Sequence, residues 1–128
     1  MKIIILLTMI FLHIVDDYYL QGILAQLKQK SWWEENYPAP IYKHDYLVAL
    51  ITHAFSWSFM IMLPFTALMV VTHNYKIIPF TACFIVNWII HSIVDDLKAN
   101  KRKISLKTDQ LIHLAQILVT WIVMNFLI

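Results

Sequence analysis

The sequence predicts an all-α protein, a bundle of four transmembrane helices around a polar centre of histidine and aspartate. The 128 residues are 60% hydrophobic and 14% charged, whereas a soluble domain carries about a quarter charged residues. The apolar residues fall into four stretches, each of which reaches the roughly 20 residues that a bilayer requires. Histidine and aspartate recur inside these stretches, where charge is costly. The length allows a single domain, residues 1–128.

The four predicted spans cover residues 3–29, 45–72, 78–97 and 105–128. The opening Met1-Lys2 and its apolar run resemble a signal peptide, but no small-residue cleavage site follows, so we expect a retained helix. The segment 30–43 is rich in Trp, Tyr and Pro, which favours a loop at the headgroup level. A short turn, 73–76, and a basic stretch, 98–107, make the other two connections.

Lysine and arginine predict the orientation. Four spans place both termini and the 73–76 turn on one side, which carries Lys2 and Lys76. The basic residues of the other side are Lys28, Lys30, Lys43, Lys98, Lys101, Arg102, Lys103 and Lys107. We therefore expect this basic side to be cytoplasmic and both termini to lie outside. The basic residues cluster at span ends without forming a binding face, so no nucleic acid partner is expected.

The ionisable residues inside the spans follow a helical pattern. They are His13 with Asp17, His91 with Asp95, Asp109 with His113, and His53 in the second span. Residues four apart share one helix face. At a rise of about 1.5 Å per residue, all seven fall within about two turns of depth. Each paired histidine lies deeper than its aspartate, so the polar site is expected nearer the cytoplasmic face. A four-helix bundle would bring these side chains together.

This pattern predicts a metal centre. The candidate ligands are His13, Asp17, His53, His91, Asp95, Asp109 and His113. They exceed the four ligands of one tetrahedral zinc ion, so they suit two ions, or one ion with acid–base and supporting residues. Imidazole with carboxylate favours Zn²⁺, with Mn²⁺ or Fe²⁺ as alternatives. A buried hydrogen-bond network or proton relay is the other interpretation, at a cost of about 2.5–3.5 kcal/mol per central charge.

Polar residues beside the candidate ligands suggest a substrate site. The candidates are Gln21 on the His13–Asp17 face, Lys98 on the Asp95 face, and Gln110 beside Asp109. Lys98 would bind an anionic group, although a lysine that snorkels at a helix end needs no function. We expect Asp16 and Asp96 to support the ligands from behind or to face solvent.

These motifs resemble the DUF3307 family of small bacterial and phage integral membrane proteins. The resemblance rests on four pieces of sequence: His13-x-x-x-Asp17-x-x-x-Gln21 followed by Lys28 or Lys30, then His53, then His91-x-x-x-Asp95-x-x-Lys98, and then Asp109-Gln110-x-x-His113. Tyr18 fits the aromatic residue after the first aspartate, whereas residues 32–46 match no part of the pattern. The resemblance implies that the protein lies in the bacterial inner membrane. The family is also similar to YdjM-type inner-membrane metal-dependent hydrolases, which implies hydrolysis.

The expected function is an intramembrane metal-dependent hydrolase acting on a membrane lipid or lipid-linked phosphate. A metal ion polarises a phosphoryl oxygen and activates water at neutral pH. The candidate catalytic carboxylates are Asp17, Asp95 and Asp109, of which one outside the metal ligands would move protons. One alternative is a metal-ion or proton-coupled carrier, for which four spans would need a homo-oligomer. Another is a non-catalytic phage or bacterial membrane effector whose metal is structural.

Overall fold

The computed structural model describes residues 2–127. Its elements are α1 (Lys2–Ile14), a π-helical segment (Val15–Leu20), α2 (Leu24–Leu27), α3 (Lys30–Asn36), a 3₁₀ turn (Pro40–Tyr42), α4 (Tyr46–Thr72), α5 (Ile77–Ala99) and α6 (Leu106–Leu127). No strand occurs within this range. The predicted all-α fold with four long apolar helices is confirmed. Met1 and Ile128, the ends of the predicted domain and of the fourth span, lie outside the described residues.

The four long helices form a closed ring in the order α1, α4, α5, α6, in which each packs against its two neighbours. A short turn joins α4 to α5, and His73 adopts a left-handed backbone conformation there, with φ of 53°. The start of α1 and the end of α6 lie together, because the indole N–H of Trp121 donates to the carbonyl of Lys2 (2.9 Å). Both ends of the described chain are therefore on one side of the bundle, as predicted.

Four helical segments are long and apolar enough to cross a membrane: Lys2–Leu20, Pro40–Thr72, Ile77–Ala99 and Leu106–Leu127. Their outer faces carry many exposed apolar side chains, such as those of Phe11, Ile78 and Phe126. A soluble monomer rarely exposes so continuous an apolar surface. The outer faces are therefore suited to contact with membrane lipid.

The interior of the bundle has two halves. The apolar half lies toward the chain ends and is formed by Ile5, Met9, Ile61, Met62, Phe65, Ile117 and Met124. The polar half lies toward the basic side and buries histidine and aspartate side chains from all four long helices. Trp57 of α4 is fully buried at the boundary between the two halves. The apolar half closes one end of the site, so the site faces the basic side.

The first span is shorter than predicted, because its continuous helix ends at Leu20 and does not extend to about Gln29. The backbone N–H of Gln21 donates to the carbonyl of Asp16 (3.0 Å), the i→i+5 bond that defines a π-helix. Gly22 then adopts φ of 51°, a conformation that favours glycine. The chain continues into α2, which packs against α4. The other three spans begin and end within two residues of their predicted limits over the described range.

Candidate metal centre

The polar half contains one compact group of side chains, here called the polar cluster. It consists of His13, Asp16, Asp17, His53, His91, Asp95, Asp109 and His113. Apart from Asp17, whose side chain is 9% exposed, these side chains are at most 3% exposed. The predicted meeting of histidine and aspartate from four helices is confirmed. It follows that their charges are shielded from lipid and can compensate one another only within the bundle.

Asp17, His53 and His91 place one ligand atom each within 4.8 Å of the others. His53 Nε2 lies 3.2 Å from His91 Nε2 and 3.3 Å from Asp17 Oδ1. Asp95 Oδ2 lies 3.5 Å from His53 Nε2 and 3.8 Å from His91 Nε2. A tetrahedral zinc ion with bonds of about 2.0–2.2 Å holds its ligand atoms about 3.3–3.6 Å apart. These separations are thus close to the edges of one coordination tetrahedron.

A second group with metal-binding spacing consists of His91, Asp95 and His113. Asp95 Oδ1 lies 3.7 Å from His113 Nε2, which in turn lies 3.3 Å from Asp109 Oδ1. The two groups share His91. Asp95 belongs to the second group, in which its Oδ1 faces His113, and its Oδ2 also lies near His53 of the first. These residues would therefore suit one ion or two, with Asp95 as a candidate ligand in either case.

The hydrogen bonds around His113 leave its Nε2 atom facing two carboxylates. Gln116 Nε2 donates to the carbonyl and side-chain oxygens of Asn87, so Gln116 Oε1 is the acceptor for His113 Nδ1 (3.1 Å). The proton of a neutral His113 is therefore on Nδ1, which leaves a lone pair on Nε2. That lone pair faces Asp109 and Asp95 oxygens, which are also electron-rich. A proton or a metal ion at Nε2 would turn this repulsion into attraction.

Several buried atoms of the polar cluster have no hydrogen-bond partner among residues 2–127. They are Asp16 Oδ2, Asp17 Oδ1, His53 Nδ1, His91 Nδ1, Asp109 Oδ1 and His113 Nε2. Buried polar atoms are normally paired, and an unpaired one is costly. Asp17 Oδ1, Asp109 Oδ1 and His113 Nε2 belong to the close contacts described above. These three unpaired atoms fit a bound cation.

Two lysines compensate part of the buried negative charge. Lys28 Nζ donates to Asp95 Oδ2 (2.6 Å), and Lys98 Nζ donates to Asp109 Oδ2 (2.7 Å). The polar cluster contains four carboxylates, so two negative charges remain when the histidines are neutral. One divalent cation would neutralise this remainder. Lys28 was not among the predicted site residues, and its only signal was the lysine that follows Gln21 in the family pattern.

His13 lies in the polar cluster, but hydrogen bonds engage both of its ring nitrogens. Trp57 Nε1 donates to His13 Nδ1 (2.8 Å), so a neutral His13 carries its proton on Nε2, which lies 3.1 Å from Gln110 Oε1. Of the seven predicted ligands, His13 and Asp109 belong to neither three-residue group found among residues 2–127. Their role as ligands stays a prediction, and in this arrangement His13 positions Gln110.

Asp16 and Asp96 occupy different environments, although each adjoins a candidate ligand. Asp16 is buried, accepts a hydrogen bond from Ser56 Oγ (2.6 Å), and places Oδ2 3.6 Å from His53 Nδ1. A carboxylate behind a metal-binding imidazole orients the ring and increases its basicity. Asp96 instead faces Asn100 (2.9 Å) and Lys101 (3.1 Å), outside the polar cluster. Asp16 is therefore placed to support His53.

Aromatic stacking fixes the rings on the deeper side. Trp57 stacks on His91 with ring centroids 4.2 Å apart, and His91 stacks on His113 at the same separation. Asn87 continues the polar contacts beyond Gln116 by donating to Thr120 Oγ1 (2.7 Å). We did not predict these roles for Trp57, Asn87 or Thr120, because tryptophan, asparagine and threonine inside an apolar stretch are common without any function.

A cavity of about 200 Å³ lies against the polar cluster on the basic side. Its lining residues are Asp17, Tyr18, Gln21, Lys28, Asp95, Lys98, Leu106 and Gln110. The three predicted substrate-binding residues, Gln21, Lys98 and Gln110, all line it. The cavity thus places the ammonium groups of Lys28 and Lys98, each paired with a buried carboxylate, beside candidate metal ligands.

Comparison with known proteins gives no relative. The chain matches no protein-family model, no curated protein and no solved structure. The His/Asp groups nevertheless have the composition and spacing of a possible metal site. The interpretation of this site therefore rests on its own geometry and charge.

Proposed function

We propose that the protein is an intramembrane metal-dependent hydrolase that acts on a lipid phosphate or a lipid-linked phosphate. The observation that carries this proposal is the position of the ligand groups, which lie beside a cavity containing Lys28 and Lys98 in a bundle with a lipid-facing surface. Hydrolysis of such a phosphate would use metal ligands beside a cationic side chain, at a site that a membrane lipid can reach.

The donor set favours zinc, with manganese or iron as alternatives. Asp17, His53, His91 and Asp95 would hold the ion, and His113 with Asp109 would hold a second ion or support the first. When bound, the metal supplies a Lewis acid for the phosphoryl oxygen and an activated water.

The remaining residues bind the substrate and move protons. Lys98, whose side chain is 28% exposed, reaches the cavity and would attract the phosphate. Gln110 Nε2 donates to Asp109 Oδ2 (3.0 Å) and so keeps that carboxylate oriented. Asp17 Oδ1 and Asp109 Oδ1 lack hydrogen-bond partners among residues 2–127. With Asp17 as a ligand, Asp109 would accept the proton released from water when it holds no second ion.

One-sided access supports hydrolysis over transport. A carrier exposes its site alternately to both faces, whereas buried Met9, Met62, Phe65 and Met124 fill the bundle on the far side of the polar cluster. We also propose that the chain is a DUF3307-type protein of the bacterial inner membrane, with its basic side in the cytoplasm. The motif residues and the positive-inside rule support this assignment.

Metal content tests the centre. We expect the purified protein and its Asp96→Asn variant to retain zinc, and Asp95→Asn to retain at least about tenfold less, because Asp95 contacts both ligand groups. Asp96 is the matched control, since it is an adjacent carboxylate outside the polar cluster. Mass spectrometry of the detergent-purified proteins measures the metal. Equally low metal in all three proteins would refute the centre.

Phosphate release tests the reaction. We expect wild type and Asp96→Asn to release phosphate from phosphatidic acid or an isoprenyl pyrophosphate in mixed micelles, and Asp95→Asn to release none. A wild-type protein that holds zinc but releases no phosphate from either substrate would exclude this hydrolysis and favour a carrier or a structural metal site.

A further inference from the structure

A lipid-facing groove lies directly beside the polar cavity. It runs between the first span and α6, has a volume of about 570 Å³, and is lined by Ile10, His13, Ile14, Tyr18, Tyr19, Gln110 and Leu114. Tyr18 and Gln110 also line the cavity of about 200 Å³ beside the polar cluster. The groove and the cavity therefore share one wall, so an elongated molecule that is apolar at one end and anionic at the other would fit across both.

The groove is apolar at its rim and polar at its base. Ile14, Tyr19 and Leu114 are 42%, 77% and 39% exposed on the outer surface of the bundle. His13 is buried at the base and contacts Gln110. The apolar rim suits a hydrocarbon chain. A groove that held only hydrocarbon would not require the buried His13 and the Gln110 amide at its base.

Gln110 forms the boundary between the two spaces. Its Oε1 contacts His13 Nε2 (3.1 Å), and its Nε2 contacts Asp109 Oδ2 (3.0 Å) and Asp17 Oδ2 (3.4 Å). This one side chain thus joins α6 to the first span where the groove meets the cavity.

We propose that this groove holds the hydrocarbon chain of the substrate, whose phosphate enters the cavity past Gln110. The inference rests on the proposed function, since it names the path by which the lipid reaches that same site. Lys98, whose side chain is 28% exposed, lies at the cavity end beside the candidate metal ligands, and Ile10, Ile14 and Leu114 supply the apolar surface at the groove end. The substrate enters sideways from the membrane, with its chain in the groove and its phosphate in the cavity.

A second apolar groove provides a matched control. It lies between α4 and α5, has a volume of about 360 Å³, and is lined by Ile51, Trp88, Ile89, Ser92 and Ile93. None of these five residues lines the cavity. Both grooves carry apolar side chains on the outer surface of the bundle, but only the first shares lining residues with the cavity.

The test uses the zinc-loaded protein in lipid nanodiscs that contain phosphatidic acid with a photoactivatable group on its acyl chain. After irradiation, mass spectrometry identifies the labelled residues. We expect labelling around Ile14 and Leu114, and loss of this labelling in Leu114→Trp and Ile14→Trp, which fill the groove from opposite walls. Ile93→Trp in the control groove should leave it unchanged. All three sites are exposed on the outer surface of the bundle, and circular dichroism shows which variants are folded.

Hydrolysis provides a second readout. The two groove variants should lose activity on long-chain phosphatidic acid but retain it on a short-chain, water-soluble phosphate monoester. Labelling spread equally over both grooves, or labelling that both Leu114→Trp and Ile14→Trp leave unchanged, would overturn the groove proposal even if phosphate is released. Specific labelling without any phosphate release would support the groove as a lipid site and refute the hydrolase, so the two failures are distinguishable.

Discussion

The two halves of the bundle interior differ in what holds them together. In the apolar half, Met9, Ile61, Phe65 and Met124 pack through van der Waals contacts alone. In the polar half, Lys28, His53, Asp95 and their neighbours make polar contacts of 2.6–3.8 Å that involve all four long helices. Both halves lie in the same bundle, so apolar packing and polar contacts stabilise neighbouring parts of the same four helices.

The difference shows which half specifies the fold. Lipid chains are as apolar as leucine, so burial of apolar side chains provides little drive for helices to associate within a membrane. A carboxylate facing lipid is much more costly, and the polar half avoids this cost only when all four helices are in register. The polar half therefore fixes the register of the helices, and the apolar half fills the remaining space.

The largest effect is expected for Lys28→Met. The substitution leaves the buried Asp95 carboxylate without its ammonium partner, and breaking a buried pair costs about 3–5 kcal/mol of stability. Thermal unfolding in detergent, followed by circular dichroism, measures this loss. Lys30→Met is the control, because its exposed pair with Glu34 should contribute less than about 1 kcal/mol. Equal stability of the two variants would show that the polar half is not held by this pair.

An intermediate effect is expected for Asp16→Asn, which removes the charge behind His53 but preserves the size of the side chain. Loss of a carboxylate that supports a metal-binding histidine weakens metal affinity by about 10–100-fold. Competition with a fluorescent zinc chelator measures the affinity, and Asp96→Asn should leave it unchanged. If Asp16→Asn binds zinc as tightly as wild type, Asp16 has only a structural role.

The smallest effect is expected in the apolar half. Ile61→Val removes one buried methylene group and should lower stability by about 0.5–1.5 kcal/mol. Zinc affinity should not change, because Ile61 is one turn beyond Trp57, in the apolar half of the bundle. Val71→Ala, at a site 78% exposed, is the control and should change stability by less than about 0.5 kcal/mol. A fall in zinc affinity in Ile61→Val would show that the halves are coupled.

Much of the architecture could be predicted from the sequence. Long apolar stretches impose helices in a bilayer, because every backbone polar group must be satisfied within its own segment. The four-residue spacing of His13 with Asp17, and of His91 with Asp95, predicted two inward faces. The order of histidine and aspartate along each helix predicted a common depth. These features depend only on helical geometry, so the sequence alone was sufficient for them.

Only the tertiary structure determined which atoms meet. A π-helical segment begins at Val15, and Asp16 within it is buried. The regular spacing of apolar residues in the sequence does not reveal such a segment. The chain turns at Gly22, and this brings Lys28 to Asp95 from 67 residues away. Trp57 and Gln110 engage both nitrogens of His13. Each of these contacts joins separate helices through the far end of a side chain, and helix spacing does not specify where such ends lie.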